Sequence, residues 1–409
     1  MNSIRLLIFV FVAIPTLSAH AEISLTAEAA AKLAREKNPE LVAARNLIEE
    51  AQARTFIVGR LANPELSAEI AGGQDFEGRV SVGITQRFPL TARLRLEREL
   101  SAIDVEIARL EVRNRERQIE VAARSAFYEL ASARSSIAQA RQQSALAQAF
   151  AETIAEGVPQ GFGSQIDGGQ AALEAETLRT AGESLRSLEA DAAGQLNTLL
   201  GRSADAPIVI KDPLDLPKAM PAKRAVGVRA DLLLAEAAVR SGATGVSLAK
   251  ASRWDDVGVG VFIEGERFAD EPEGIEPEAL VGIQFSMPLP IWQNGSGKVA
   301  EKQAAQTRLA KKLEALRFSI RNEALAAHAI LSARHRSAMD LTSKLVPAAR
   351  KQVTDAEAAY ARGEIDITTV FRTREKLVEI EANALESRKN YFVAYAEWIA
   401  TLGEPSTQP

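Results

Sequence analysis

Residues 64–90 read PELSAEIAGGQDFEGRVSVGITQRFPL, and this stretch decides the fold. Val80, Val82 and Ile84 alternate with Ser81, Gly83 and Thr85, so an extended chain here carries one apolar face and one small or polar face. Leu66, Ala68 and Ile70 alternate in the same way before a polar, glycine-containing loop. A second stretch, residues 255–289, repeats the pattern: Val257, Val259, Val261 and Ile263 first, then Val281, Ile283, Phe285 and Met287 alternating with Gly282, Gln284 and Ser286. Each stretch predicts a β-hairpin. Strands of about 9–11 residues with this alternation suit a transmembrane barrel, with Val80, Val82, Ile84, Val281, Ile283 and Phe285 facing lipid. An edge hairpin of a soluble sheet would show the same alternation.

Working outward, long alanine-rich stretches flank both hairpins. Residues 92–156 contain no proline, and Ile103, Ile107 and Leu110 recur at helical spacing, which predicts a single helix of about 95 Å at 1.5 Å per residue. The turn at 157–167 ends it, and a return helix follows, closed by Gly201. After a proline-rich linker, 206–223, the same order resumes. A short helix begins at Ala230, the longer hairpin follows, a second long helix runs over 298–361 and a turn spans 362–369. A return helix then ends at Leu402-Gly403. The chain therefore reads as two structural repeats, 22–205 and 224–403, each made of helix, hairpin, long helix, turn and helix, with a tail at 404–409. The extra length of the second hairpin falls in an acidic stretch, 264–278, read as a solvated external loop that could also draw cations to a pore mouth.

Residues 1–21 have the form of a secretory signal: Arg5, an apolar run and Ala19-His20-Ala21 as the cleavage pattern. The absence of cysteine excludes a lipoprotein anchor at that site and any disulfide framework. Beyond the signal no apolar run is long enough for a membrane-spanning helix, so a membrane location would rest on strands. A formal net charge of −5 gives nucleic acid no basic surface to bind.

Four strands cannot close a barrel in lipid, because the bare backbone edges would cost several kcal/mol per group. Assembly with other copies removes the edges. Three chains supply twelve strands, and the same operation closes the helices into a tube. The fold class expected is thus mostly α with a small β part: long antiparallel helical hairpins in two repeats plus four transmembrane strands, closing as a trimeric duct.

Across the whole mature length, the chain resembles the TolC family of outer-membrane efflux ducts. The residues that carry the resemblance are Asn63-Pro64-Glu65-Leu66, Gln86-Arg87-Phe88-Pro89-Leu90 and Ala126-Phe127-Tyr128-Glu129-Leu130, then Leu196-Asn197-Thr198-Leu199-Leu200-Gly201. In the second copy they are Pro288-Leu289-Pro290-Ile291-Trp292 and Tyr360-Ala361-Arg362-Gly363. Asn63-Pro64-Glu65-Leu66 and the Pro-Leu-Pro segment look most like the CzcC type, which expels divalent metal cations. The resemblance implies a homotrimer in the Gram-negative outer membrane, with a large periplasmic part. It implies as partners a periplasmic adaptor (a membrane fusion protein), an inner-membrane RND pump and outer-membrane lipid. It also implies a periplasmic tip where Gly161, Phe162, Gly163, Ser164, Gly363, Glu364 and Ile365 meet the adaptor. Asp167, Tyr360, Arg362, Glu364 and Asp366 match the positions at which family ducts close. Thr368-Thr369-Val370-Phe371-Arg372 departs from the TolC prototype in lacking its acidic pair.

Other features have plainer readings. Asn294-Gly295-Ser296-Gly297-Lys298 lacks the first glycine and the final Ser or Thr of a phosphate loop and reads as a strand-to-helix turn. His328 and His335 share a helix face, with Glu323 roughly on that side, but read as packing or surface histidines rather than metal ligands. Trp254, Trp292 and Phe88 form either an interfacial aromatic girdle or ordinary packing where strand meets helix. No catalytic constellation occurs at usable spacing, so neither an enzyme, a cofactor nor a resident metal is expected. Two other readings stay open: a duct for drugs, other organic compounds or type I secretion, and a soluble periplasmic coiled-coil scaffold capped by its hairpins.

Overall fold

The computed structural model describes residues 22–72, 78–160, 163–211, 214–270 and 274–403. The expected signal, the tail and the tip of the first hairpin lie outside them. The chain divides into two compact units, and helix α3 (Arg93–Gly157) contributes to both.

The first unit comprises Met1–Ala34, Ala123–Asp215 and Leu341–Lys389. Strand β1 (Ile23–Leu25) pairs in parallel with β4 (Ile208–Ile210), Ser24 opposite Val209. This pairing falls inside the stretch read as a linker; three-residue strands are too short to show a period. Helix α1 (Ala27–Lys37) follows β1. Helix α4 (Gln165–Leu199) runs back from the first turn and is closed by Gly201 at φ 66°, whose neighbour Arg202 donates its amide to the Asn197 carbonyl at 2.8 Å. Asn197, fully buried, bonds the carbonyls of Ala204 and Ala206 and so fixes the chain leaving α4.

The second unit comprises Arg35–Ala122, Leu216–Asp340 and Asn390–Pro409. Asn38 caps α2 (Pro39–Thr55), its side chain accepting from the amides of Glu40 and Leu41, with Pro39 at the first helical position where no amide is needed. Strands β2 (Glu65–Gly72), β3 (Gly78–Phe88), β5 (Val257–Asp270) and β6 (Gly274–Ser286) form one antiparallel sheet in the order β2-β3-β5-β6. Its register is continuous: Leu66 pairs with Ile84, Ile84 with Val261 and Val261 with Ile283. Helix α5 (Ala230–Ala251) precedes the second hairpin and packs on α6 (Ser296–Asp340), where a Cβ on Gly242 would come within 3.1 Å of Leu309.

One expectation is corrected. The acidic stretch 264–278 is not a loop: β5 and β6 continue through most of it, with Glu264 opposite Leu280 and Glu266 opposite Glu278. Alternating charge leaves a strand's backbone pairing intact, so acidity alone does not end a ladder. The second long helix, helical throughout as expected, is not of one type. It runs as α6, a π-helical turn at Leu341–Leu345 and α7 (Val346–Ala361), with Pro347 at the start of α7. Proline has no amide to donate and its ring crowds the preceding turn; a widened π turn absorbs both. Helix α8 (Ile367–Leu402) ends the described chain.

Candidate functional site

The first turn closes on Gly163, at φ 77°, and Ser164, whose side chain accepts from the Asp167 amide at 3.1 Å while Asp167 accepts from the Ser164 amide at 2.8 Å. This reciprocal box fixes the start of α4 and aims the Asp167 carboxylate. The second turn closes on Gly363, at φ 72°; its amide and that of Glu364 donate to the carbonyls of Tyr360 and Ala359. Asp366 then caps α8, accepting from the Thr369 amide at 2.8 Å and hydroxyl at 3.0 Å, bonds that hold its carboxyl below the usual range.

The two turns meet at one pair of residues. The Tyr360 hydroxyl donates to Asp167 Oδ2 across 3.4 Å, and a Cβ built on Gly163 would lie 2.9 Å from that hydroxyl. Burial first, and the Asp167 carboxylate second, raise the Tyr360 phenol, which stays a neutral donor. Arg362 turns instead to Glu364 within its own turn, and that bond lowers the Glu364 carboxyl. Of the five gate candidates, then, Tyr360 and Asp167 are brought together, Arg362 and Glu364 pair locally, and Asp366 is a cap. Beside them an open cavity of about 560 Å3 is lined by Gly163, Asp167, Tyr360, Gly363 and Ile365. Gly161 and Phe162 lie outside the described residues.

Behind the turns lies a supporting set that the sequence reading missed. The Arg374 guanidinium sits 4.2 Å over the Phe150 ring and bonds Glu357 at 2.9 Å. Glu381, only 4% exposed, accepts from Arg350 at 2.7 Å, Gln139 at 3.0 Å and Gln143 at 2.7 Å, joining α3, α7 and α8. The signal was present. Arg350 with Glu381 and Glu357 with Arg374 are each centred on the same point of the chain, between Ile365 and Asp366, as opposite charges facing across an antiparallel helical hairpin must be.

The sheet forms the other candidate surface. Its apolar rows, including Val80, Val82, Ile84, Val281, Ile283 and Phe285, are exposed in the single chain, Ile283 by 80%. The opposite face carries Thr85, Ser67 and Gln284, with the Phe262 ring lying flat where a Cβ on Gly282 would clash at 2.4 Å. Farther along, Arg79 is surrounded by Glu69, Glu264 and Glu266 at 3.6, 3.7 and 3.8 Å. Trp292 is 92% exposed, whereas Trp254 at 46% and Phe88 at 43% are partly covered.

The histidines are structural. His335 is buried, its Nε2 2.8 Å from the Pro217 carbonyl and its ring 5.3 Å from Tyr391, while His328 lies 5.7 Å from Trp398. Glu323 is engaged by Arg229 at 3.0 Å. Among the described residues no three His, Asp or Glu are grouped to hold a metal, and no helix is long and apolar enough to cross a membrane.

No protein-family model matches the sequence, and no curated protein matches it. Solved structures do. CusC, whose crystal structures describe folding and transmembrane channel formation, superposes with a TM-score of 0.74 at 15% identity over 92% of this chain and 92% of that one. VceC from Vibrio cholerae gives 0.74 at 16% over 92% and 95%. The open state of the Neisseria gonorrhoeae MtrE outer membrane channel gives 0.70 at 16% over 94% and 91%. The chain has the fold of these outer-membrane channel proteins.

Proposed function

We propose that three copies of this chain form an outer-membrane efflux duct, passively conducting divalent metal cations delivered by a periplasmic adaptor and an inner-membrane RND pump. The observation that carries the reading is the four-stranded sheet, apolar over one face, small, polar or charged apart from Phe262 over the other, and bare at both edges among the described residues. An apolar outer face matches lipid, a polar inner face matches water, and edge strands β2 and β6 find partners only in other copies. The fold likeness to outer-membrane channels over nine-tenths of the chain supports it. In this reading residues 1–21 are the export signal and the two glycine turns meet the adaptor. The contact between Tyr360 and Asp167 holds the tip narrow until adaptor binding spreads the helices. The chain performs no chemistry; the pump supplies the energy.

The metal substrate rests on the CzcC-like segments at 63–66 and 288–292. Cellular cobalt, zinc, cadmium and copper after loading, with and without the gene, test it alongside accumulation of a dye-like drug. Metal retention with normal dye export is expected. Dye retention with normal metal would transfer the duct to organic substrates and leave the architecture in place. The soluble-scaffold reading is tested separately by extraction: a barrel needs detergent, whereas a scaffold leaves with carbonate.

A further inference from the structure

In the unit that carries the sheet, the segment leading into α5, a face of α6 and the end of α8 bound a groove of about 460 Å3. Its floor is apolar: Val226, Leu232, Ile320 and Trp398. Trp398 is 1% exposed and firmly held, while Val226 keeps 39% of its surface open to solvent. Its rim is cationic: Lys223, Arg224, Arg317 and Arg321.

Arg317 is paired with Glu236 at 2.8 Å. The other three have no carboxylate within ion-pair distance among the described residues. The carboxylates nearest in sequence are taken: Asp231 and Glu323 both pair with Arg229, which is 4% exposed. A chain of net charge −5 thus gathers three uncompensated cations around one apolar hollow. An anion that enters gains charge-assisted hydrogen bonds from arginine. An anion alone would leave the exposed Val226 wet. A ligand with an apolar body dries it, and the volume falls in the range of small-molecule sites.

We propose that this groove binds an amphipathic anion, its carboxylate, sulfate or phosphate head between Lys223, Arg224 and Arg321 and its apolar body on Val226 and Leu232, above the buried Ile320 and Trp398. The proposal does not rest on the metal reading.

The chain has three tryptophans, so Trp254→Phe with Trp292→Phe leaves Trp398 as the sole reporter. The full-length protein, reconstituted in phosphatidylcholine vesicles, is titrated with 8-bromooctanoate, with 8-bromooctanol and with inorganic phosphate. Saturable quenching by the carboxylate is expected, at least tenfold tighter than by the alcohol, with phosphate competing only weakly. Arg224→Gln with Arg321→Gln should weaken the carboxylate at least tenfold and leave the alcohol unchanged. Both side chains are exposed, and an unaltered circular dichroism spectrum confirms that the variant folds. Equal quenching by alcohol and carboxylate would reduce the groove to an apolar crevice and overturn the proposal. So would an absence of quenching, an unchanged affinity in the double variant, or phosphate binding as tightly as the carboxylate.

Discussion

At Gly163 the backbone sits at φ 77° and the Tyr360 hydroxyl stands 2.9 Å from where a Cβ would go, so two separate penalties meet at one residue. Gly363 has nearly the same backbone, φ 72°, but open space around it. Left-handed backbone costs a side-chain-bearing residue about 1–2 kcal/mol, so Gly363→Ala should lose about that much local stability. Gly163→Ala, the first variant, should lose more, because Tyr360 must also move away from Asp167. Hydrogen exchange of the amides at 163–168 in the first variant and at 362–367 in the second measures the difference; equal losses of protection would show that Tyr360 yields freely. Tyr360→Phe isolates the contact itself. A neutral donor on a carboxylate at 3.4 Å is long, worth about 0.5–1 kcal/mol, and its removal should raise the conductance of channels reconstituted in planar bilayers. Conductance equal to the wild type would take the pair out of gating. The glycines of both turns were readable because only they tolerate this backbone. That Tyr360 meets Asp167 rather than Arg362 depended on side-chain reach, which spacing does not encode.

Among the elements, the helical hairpins are held by charge as well as by apolar contact. Glu381 accepts from three donors on α3 and α7 in a site that is 4% exposed. Glu381→Ala strands Gln139 and Gln143 and should cost about 2–3 kcal/mol, read as a lower denaturant midpoint; a shift below about 0.5 kcal/mol would mean that water replaces the carboxylate at no cost. Tyr391, at the other end of α8, packs against His335 and Phe392, and burial pushes its phenol up to about 12. A folded-state value above the unfolded one near 10 means that the native state holds the proton longer. Stability is therefore complete below pH 10 and falls as pH rises from 10 towards 12, by about 2–3 kcal/mol. Tyr391→Phe should flatten that alkaline limb; an unchanged limb would assign it to other groups. The sequence showed the long helices because their apolar spacing persists over dozens of residues. It did not show the π turn before Pro347, where the competing outcome, a kink, has the same residue signature, nor the β1–β4 pairing, whose partners stand far apart in the chain.

For the molecule as a whole, the sheet decides the environment. Leu66, Ile84, Val261 and Ile283 form one unbroken apolar row across four strands, and none of them is covered within the chain. In the proposed duct this row faces lipid, and Ile283→Arg within it should cost about 2–4 kcal/mol and reduce the detergent-resistant assembly. Normal assembly would place that face in water. The alternation that predicted this sheet was legible because a period of two survives any tertiary context that buries one face. Strand length was misjudged where glutamates were taken for a loop.

In the proposed duct, the bare edges of β2 and β6 would also set the kinetics of biogenesis. A lone chain cannot satisfy its own outermost backbone groups in hydrocarbon, so productive insertion must be at least second order in chain. At low expression the rate should fall faster than the supply, and chains waiting for company hold an adhesive sheet edge exposed to any other strand in the compartment.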